Sequence, residues 1–311
     1  MSASPAQSSL QGVQGSAAAL IADLGTTLYA VCGFVLVVVL SLVIAGLVRD
    51  ARQVDARRWI ALGGVALPVV VLAGFFIYAL VIGTTVQVHA RPEALRVQVE
   101  GRQWWWQVRY EPADSPDPIV LANEIHIPAG RPVELRLSTG DVIHSLWVPT
   151  LAGKVDMIPG RTNRLVLRAD RPGIFRGQCA EYCGGQHAMM ALYVVATPEV
   201  EFRSWLANQA RPARAASNPE LKRGEELFLR GGCRHCHTVR GTAADGTIGP
   251  DLTHVGSRRS LAAGSMNNHV GTMAGWIAGS QDLKPGNAMP DTATYTGPEL
   301  RALAAWLSSL E

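Results

Sequence analysis

Two long apolar runs open the chain, short alternating segments fill its middle, and amphipathic segments close it. Residues 26–48 carry no charged side chain, and a second apolar run extends from 59 to about 83. Each exceeds the roughly 20 residues a helix needs to cross a hydrocarbon core, and two in tandem predict a transmembrane helical hairpin. Pro68 falls inside the second run, where a kink is tolerated, and Cys32 sits in the first as a packing residue. From 84 to 200 the period changes to two: Thr-Thr-Val-Gln-Val-His-Ala (84–90), Leu-Arg-Val-Gln-Val-Glu-Gly (95–101), Val-Glu-Leu-Arg-Leu-Ser (133–138) and Asn-Arg-Leu-Val-Leu-Arg-Ala (163–169). Turn residues such as Pro128-Ala129-Gly130 and Pro159-Gly160 separate these runs, so many short strands predict an all-β Greek-key sandwich or barrel. Residues 210–218 form a polar linker. Ser217 or Asn218 then caps a helix with Pro219 early in it, and 299–310 forms a closing helix with Trp306 packed near Gly224 and Phe228. The expected organisation is an N-terminal segment (1–23), a transmembrane hairpin (24–88), the β domain (89–205), a linker (206–217) and an all-α domain (218–311).

Charge sets the orientation. Arg49, Arg52, Arg57 and Arg58 crowd the connection between the spans against Asp50 and Asp55, and only Asp23 precedes them. The positive-inside rule places that loop in the cytoplasm and both termini outside. Residues 1–22 carry no charge, which makes them a poor signal peptide. A net charge of +3 over 311 residues is too small to argue for nucleic acid, and none is expected as a partner.

The richest chemistry lies between Gly173 and Met190. Cys179, Cys183, His187 and Met190 put two thiols, an imidazole and a thioether within twelve residues, a soft donor set suited to copper. His144, in Asp-Val-Ile-His-Ser-Leu-Trp-Val-Pro, offers a second imidazole. A mononuclear blue-copper centre would leave one thiolate over, whereas two bridging thiolates hold two copper ions. Each histidine then binds from outside, Met190 is a weak ligand, and a loop carbonyl fills the last position. The alternative is a surface disulfide Cys179–Cys183, which leaves His187 and Met190 without a role.

Cys233-Arg-His-Cys236-His237 has the Cys-x-x-Cys-His spacing of covalent c-type haem attachment, with His237 as the proximal ligand. A thioredoxin-like redox pair is the alternative, but no βαβ pattern surrounds it. Met289, in Leu-Lys-Pro-Gly-Asn-Ala-Met-Pro, suits the second axial position; Met266, Met273, His254 and His269 are its rivals, and His235 is an exposed passenger.

Gln-Cys-Ala-Glu-Tyr-Cys-Gly-Gly-Gln-His-Ala-Met-Met (178–190) resembles the dinuclear copper loop of cytochrome c oxidase subunit II. Gly-Arg-Gln-Trp-Trp-Trp (101–106), Asn-Glu-Ile-His-Ile-Pro-Ala-Gly (123–130) and the segment from His144 to Arg161 resemble the same family. The tail from about 218 is similar to a class I cytochrome c, so the whole resembles the haem-c-fused subunit II of a caa3-type oxidase. The resemblance implies a membrane-anchored multidomain chain: a two-helix hairpin, a cupredoxin-like Greek-key domain and a cytochrome c domain. It sits in a bacterial inner membrane with the copper and haem domains on the periplasmic side. The implied role is the electron-input subunit of a proton-pumping oxidase. Electrons from external cytochrome c pass through haem c and copper to the haem of subunit I, where oxygen is reduced to water; subunit III is a further partner.

The same resemblance gives His144, Cys179, Cys183, His187, Met190 and the backbone oxygen of Glu181 as copper ligands. It gives the Glu181 carboxylate to a magnesium ion shared with subunit I, and Asp156 and Arg161 to contacts with subunit I. Trp104 becomes the exposed residue that receives the electron from an external cytochrome. Met289 matches the family's Met-Pro motif, and Pro250 is expected to fix the proximal histidine; His126 is structural. In many relatives a glutamate seven residues before the second-span proline marks a proton path, and here that position is Ala61. Four rivals remain. A quinol oxidase subunit lacks the copper ligands. A copper-delivery protein, or a membrane-tethered cytochrome without an oxidase, would need a releasable metal or none. A nitrous oxide reductase needs a histidine-rich domain that eight histidines cannot build.

Overall fold

The computed structural model describes residues 12–48, 55–86, 95–111, 118–292 and 294–311. Helix α1 (Ser16–Val48) is followed by α2 (Ala56–Trp59), a π-helical stretch Ile60–Ala66 and α3 (Leu67–Val86). Both helical rods are long and apolar enough to cross a membrane, and almost none of their apolar surface is covered by the rest of the protein. The π-helical stretch has a local cause. Pro68 offers no N–H and its ring crowds the carbonyl four residues back, so the turns before it widen.

The alternation at 84–90 predicted a strand, and at 84–86 that is corrected: α3 runs through Val86. The hydroxyls of Thr84 and Thr85 donate to Val81 O and Ile82 O at 2.8 and 2.7 Å, so the helix itself satisfies them. Residues 87–90, including His89, and the loop residues Arg49, Asp50 and Arg52 lie outside the described residues.

The amino end of α1 does not stand free. Gln14 N–H donates to Thr150 O, Ala18 N–H to Leu151 O, and Asp170 N–H to Gln14 O. A Cβ at Gly15 would lie 2.5 Å from Leu151 O, so the approach requires glycine.

The middle of the chain folds into two five-stranded sheets. The first, in the order β3-β2-β1-β5-β8, contains β1 (Leu95–Arg102), β2 (Trp105–Tyr110), β3 (Ile119–Ala122), β5 (Val133–Thr139) and β8 (Asn163–Leu167). The second, β4-β10-β9-β6-β7, contains β4 (Glu124–Pro128), β6 (His144–Trp147), β7 (Val155–Met157), β9 (Gly173–Cys179) and β10 (Ala191–Thr197). Every second residue faces inward: Val97 and Val99, Trp106 and Val108, Leu135 and Leu137 are fully buried. Tyr110 ties the two sheets together, its hydroxyl donating to His126 O at 2.8 Å and accepting from His126 N–H at 2.7 Å. This is the cupredoxin-like domain.

Helix α4 (Glu199–Gln209) closes that domain and runs through 206–209, a stretch expected as linker. Trp205 stacks on the His126 ring at 3.9 Å, which gives His126 its structural role.

The last domain is helical, with α5 (Pro219–Arg230), α6 (Val270–Ala278), α7 (Ser280–Leu283) and α8 (Gly297–Ser308). The Asn218 carboxamide caps α5 through the Leu221 N–H. Helices α5 and α8 cross so closely that a Cβ at Gly224 would lie 2.2 Å from Ala302 O. Beside that crossing the Phe228 and Trp306 rings pack with centroids 5.0 Å apart.

Candidate metal centres

Strand β6 carries His144 at its first residue, β9 ends on Cys179, and the loop between β9 and β10 carries Glu181, Cys183, His187 and Met190. Both ends meet at one pole of the sandwich. The Cys179 and Cys183 sulfurs stand 3.8 Å apart and both cysteines are free, against the ~2.05 Å of a disulfide bond. His144 Nδ1 lies 3.8 Å from Cys179 Sγ and His187 Nδ1 lies 3.5 Å from Cys183 Sγ. Met190 Sδ is 3.8 Å from Cys183 Sγ, and Glu181 O is 3.2 Å from Cys179 Sγ. His144, Cys179 and Cys183 form the group of buried donors able to hold a metal ion among the described residues.

The protein fixes these donors from behind. Asp141 Oδ1 accepts from His144 Nε2 at 2.8 Å, so the Nδ1 lone pair is left facing the sulfurs. Asp141 is itself held by the N–H groups of Gln103 and Val142, both at 2.6 Å, and by Thr139 Oγ1. A Cβ at Gly101 would lie 2.9 Å from His144 Cδ2, so glycine there makes room for the ring. Burial acts to lower the His144 pKa, yet its hydrogen bonds to Cys179 and Asp141 outweigh burial and raise it. The hydrogen bond between the two thiols lowers the pKa of Cys179, and burial opposes that; the same bond raises the pKa of Cys183.

The Glu181 carboxylate lies on the exposed side of the loop, 3.5 Å from Lys154, which also pairs with Asp156 at 3.0 Å. A cation at Glu181 would have to displace that ammonium. Arg161 is exposed.

The three tryptophans do not all lie on one strand. Strand β1 ends at Arg102 and β2 begins at Trp105, so Trp104 occupies the tight turn between them. Trp106 is buried, while the Arg102 guanidinium covers the Trp105 ring at 5.5 Å. Trp104 is half-buried rather than exposed: its indole Nε1 donates to Cys183 O at 2.9 Å, beside Gln103 Nε2 at 2.7 Å. Its ring sits between the copper loop and the loop that carries Met289. Added Cβ atoms at Gly184 and Gly286 would lie 3.1 and 3.7 Å from it.

In the helical domain, Cys233, Cys236, His237 and Met289 line one cavity of about 350 Å³ with apolar walls from Phe228, Leu252 and Leu303. His237 Nδ1 donates to Pro250 O at 2.8 Å, which leaves Nε2 as the atom available to a metal. Burial pushes the His237 pKa down, against the pull of that carbonyl, and favours the neutral ring, the form able to bind a metal. A Cβ at Gly249 would lie 2.6 Å from the ring. The Met289 loop is pinned: its N–H donates to Asn287 Oδ1, and its carbonyl accepts from Ser280 Oγ and Gln281 Nε2, all at 2.7 Å.

Among the rivals, Met273 also lines the cavity but is packed in the core, and Met266 lies on a short hairpin. His254 Nε2 is bonded to Arg211 O, and His269 caps α6. The donor chemistry, the cavity and the His237 orientation all fit a covalent haem. Sequence reasoning missed Asp141, Lys284 and Arg258. The last lines the haem cavity with its guanidinium on Asp251 O.

Comparison with known proteins agrees with this architecture. Residues 118–197 match the family described as cytochrome c oxidase subunit II, periplasmic domain, and residues 221–311 match cytochrome c. The chain is 36% identical over 215 residues to cytochrome c oxidase subunit 2 of Alkalihalophilus pseudofirmus, covering 69% of this chain and 61% of that one. It is 29% identical over 281 residues to the Bacillus subtilis protein of the same name, covering 84% and 77%. The crystal structure of the periplasmic domain of subunit II of cytochrome oxidase from Bradyrhizobium japonicum is 31% identical. It covers 38% of this chain and 95% of that domain, with a TM-score of 0.35. The chain belongs to the cytochrome c oxidase subunit II family, in a form that continues into a cytochrome c domain.

Proposed function

We propose that this chain is the electron-input subunit of a caa3-type haem-copper oxidase. It would take electrons from an external cytochrome c and deliver them to the haem of subunit I, where oxygen is reduced to water and protons are pumped. The observation that carries this reading is the shared wall between the two sites. Trp104 lines the cavity of Cys233, Cys236, His237 and Met289 and also donates to the backbone of Cys183 in the copper loop. When bound, a dinuclear copper pair and a covalent haem supply centres that take up and release one electron at a time.

His144, Cys179, Cys183, His187 and Met190, with Glu181 O, would hold the copper pair. Cys233 and Cys236 would anchor the haem, and His237 and Met289 would hold its iron. The donors sit on strand ends and on loops braced by Asp141, Pro250 and Ser280, so they move little when charge changes. Arg258 lies where it would meet an anionic group of a buried haem. The covalent link between the two domains keeps the donor's effective concentration near the copper high.

The exposed side of the copper loop, with Glu181, Asp156 and Arg161, is the face for subunit I; a magnesium ion shared there would replace Lys154 on the carboxylates. Subunit III and the membrane lipid are the remaining partners. Nine acidic and nine basic side chains in 218–311 give no net electrostatic preference for a donor.

Tying of the α1 start to Thr150 and Leu151 supports placing the N-terminus on the same side as both redox domains, the periplasmic side. Oxygen uptake with reduced cytochrome c by the complex purified from its native membrane through this chain tests the reading. Cytochrome-dependent uptake that copurifies with a haem-copper partner is expected. A fully metallated chain that comes away with no such partner would leave a membrane-tethered electron carrier.

A further inference from the structure

Lys284 stands in a Leu-Lys-Pro-Gly loop that reads as solvent-facing, yet it is 3% exposed. Its ammonium donates to Trp104 O at 2.7 Å, Met189 O at 2.8 Å and Ala262 O at 3.2 Å. Three carbonyls thus take its three protons, one from the turn that carries Trp104, one from the copper loop and one from the haem domain itself. Burial pushes the Lys284 pKa down to about 8, while bonds to three carbonyls favour the charged form.

Around this ammonium the two domains touch at further points. The tip of the hairpin formed by Ser260–Leu261 and Met266–Asn267 accepts, through Ala263 O, the Ala191 N–H at 2.9 Å. That tip has a left-handed backbone at Ala262, Ala263 and Gly264, and a Cβ at Gly264 would lie 2.9 Å from Ala191 Cβ. Gln186 Nε2 donates to Pro285 O at 2.9 Å, and Glu124 Oε1 accepts the Arg259 N–H at 2.5 Å.

We propose that Lys284 is a positioning residue that latches the haem domain onto the copper domain, so that the chain's own Met289 loop, and not an external protein, occupies the face at Trp104. An outside donor then meets the haem domain rather than Trp104. This rests on the reading of both domains as parts of one electron relay. A buried ammonium suits the task, because undocking breaks its charge-assisted bonds to Trp104 O and Met189 O together, while only the bond to Ala262 O stays within the haem domain.

Hydrogen–deuterium exchange on the full, membrane-extracted chain with copper and haem bound tests the latch. The Ala191 and Arg259 amides report on it directly, since their acceptors lie across the seam. In Lys284→Met they should exchange about tenfold faster, the cost of one charge-assisted hydrogen bond. Amides of β5 and α8, and the copper and haem spectra, should not change. Lys284→Gln, which keeps a donor, should fall between the two. Equal exchange at Ala191 and Arg259 in wild type and variants overturns the proposal. If Lys284→Met does not accumulate folded, the Lys284→Gln comparison decides by the same criterion. Absence of copper from the wild-type chain would instead defeat the relay reading, and the exchange comparison would still judge the latch.

Discussion

Asp141 contacts no metal donor but one, and its influence runs through that contact. By accepting from His144 Nε2 it holds the ring with Nδ1 toward Cys179. Asp141→Asn should lower copper affinity about 10- to 100-fold, the usual effect of losing such support, with the haem unchanged. Competition with a chelator of known affinity measures it, and unaltered affinity would show that the ring is oriented by packing against Gly101 alone. On the haem side, Met289→Ala should keep the covalent attachment through Cys233 and Cys236 and lower the haem potential, because a thioether opposite histidine raises it. Redox titration reads the shift, and an unchanged potential would transfer the axial role to Met273, which shares the cavity.

Much at this scale is legible without coordinates, since the Cys179, Cys183, His187 and Met190 spacing is local and His144 is one strand away. Asp141 and Lys284 are not. Asp141 resembles any turn aspartate, and Lys284 is buried by Trp104 and Met189, which lie far away in sequence.

The close crossing of α5 and α8 depends on a single missing methyl group. Gly224→Ala should destabilise the haem domain by about 1–3 kcal/mol, the range for overpacking. Thermal unfolding followed at the haem absorbance should show the lower midpoint, while the copper domain keeps its own. An unchanged midpoint would mean that the helices can slide apart at no cost. The sequence places Gly224, Phe228 and Trp306 together because helical spacing puts the first two on one face of α5 and the closing helix has one large ring to offer. It fails at 84–86, where β-branched residues and alternation read as strand. There the helix continues because its own carbonyls satisfy the threonine hydroxyls. The turn at Trp104 is missed for a related reason: alternation sets which face a residue takes but not where a strand stops.

Across the whole molecule, the tie between the α1 start and the copper domain and the arginines before the second span agree on one orientation. In sealed vesicles of known sidedness, a maleimide should label Arg57→Cys from the cytoplasmic side and Val200→Cys from the outer side. Labelling of both from one side would break the two-span hairpin. The haem cavity, Trp104 and the copper loop lie in contact along one seam, and the proposed electron path would run along it.

The most direct test of that path is low-temperature EPR with copper and iron quantitation on the membrane-extracted protein. Two coppers per covalent haem, with the unpaired electron shared over both metals, is the predicted result. One copper, or none with Cys179 and Cys183 joined as a disulfide, would contradict it.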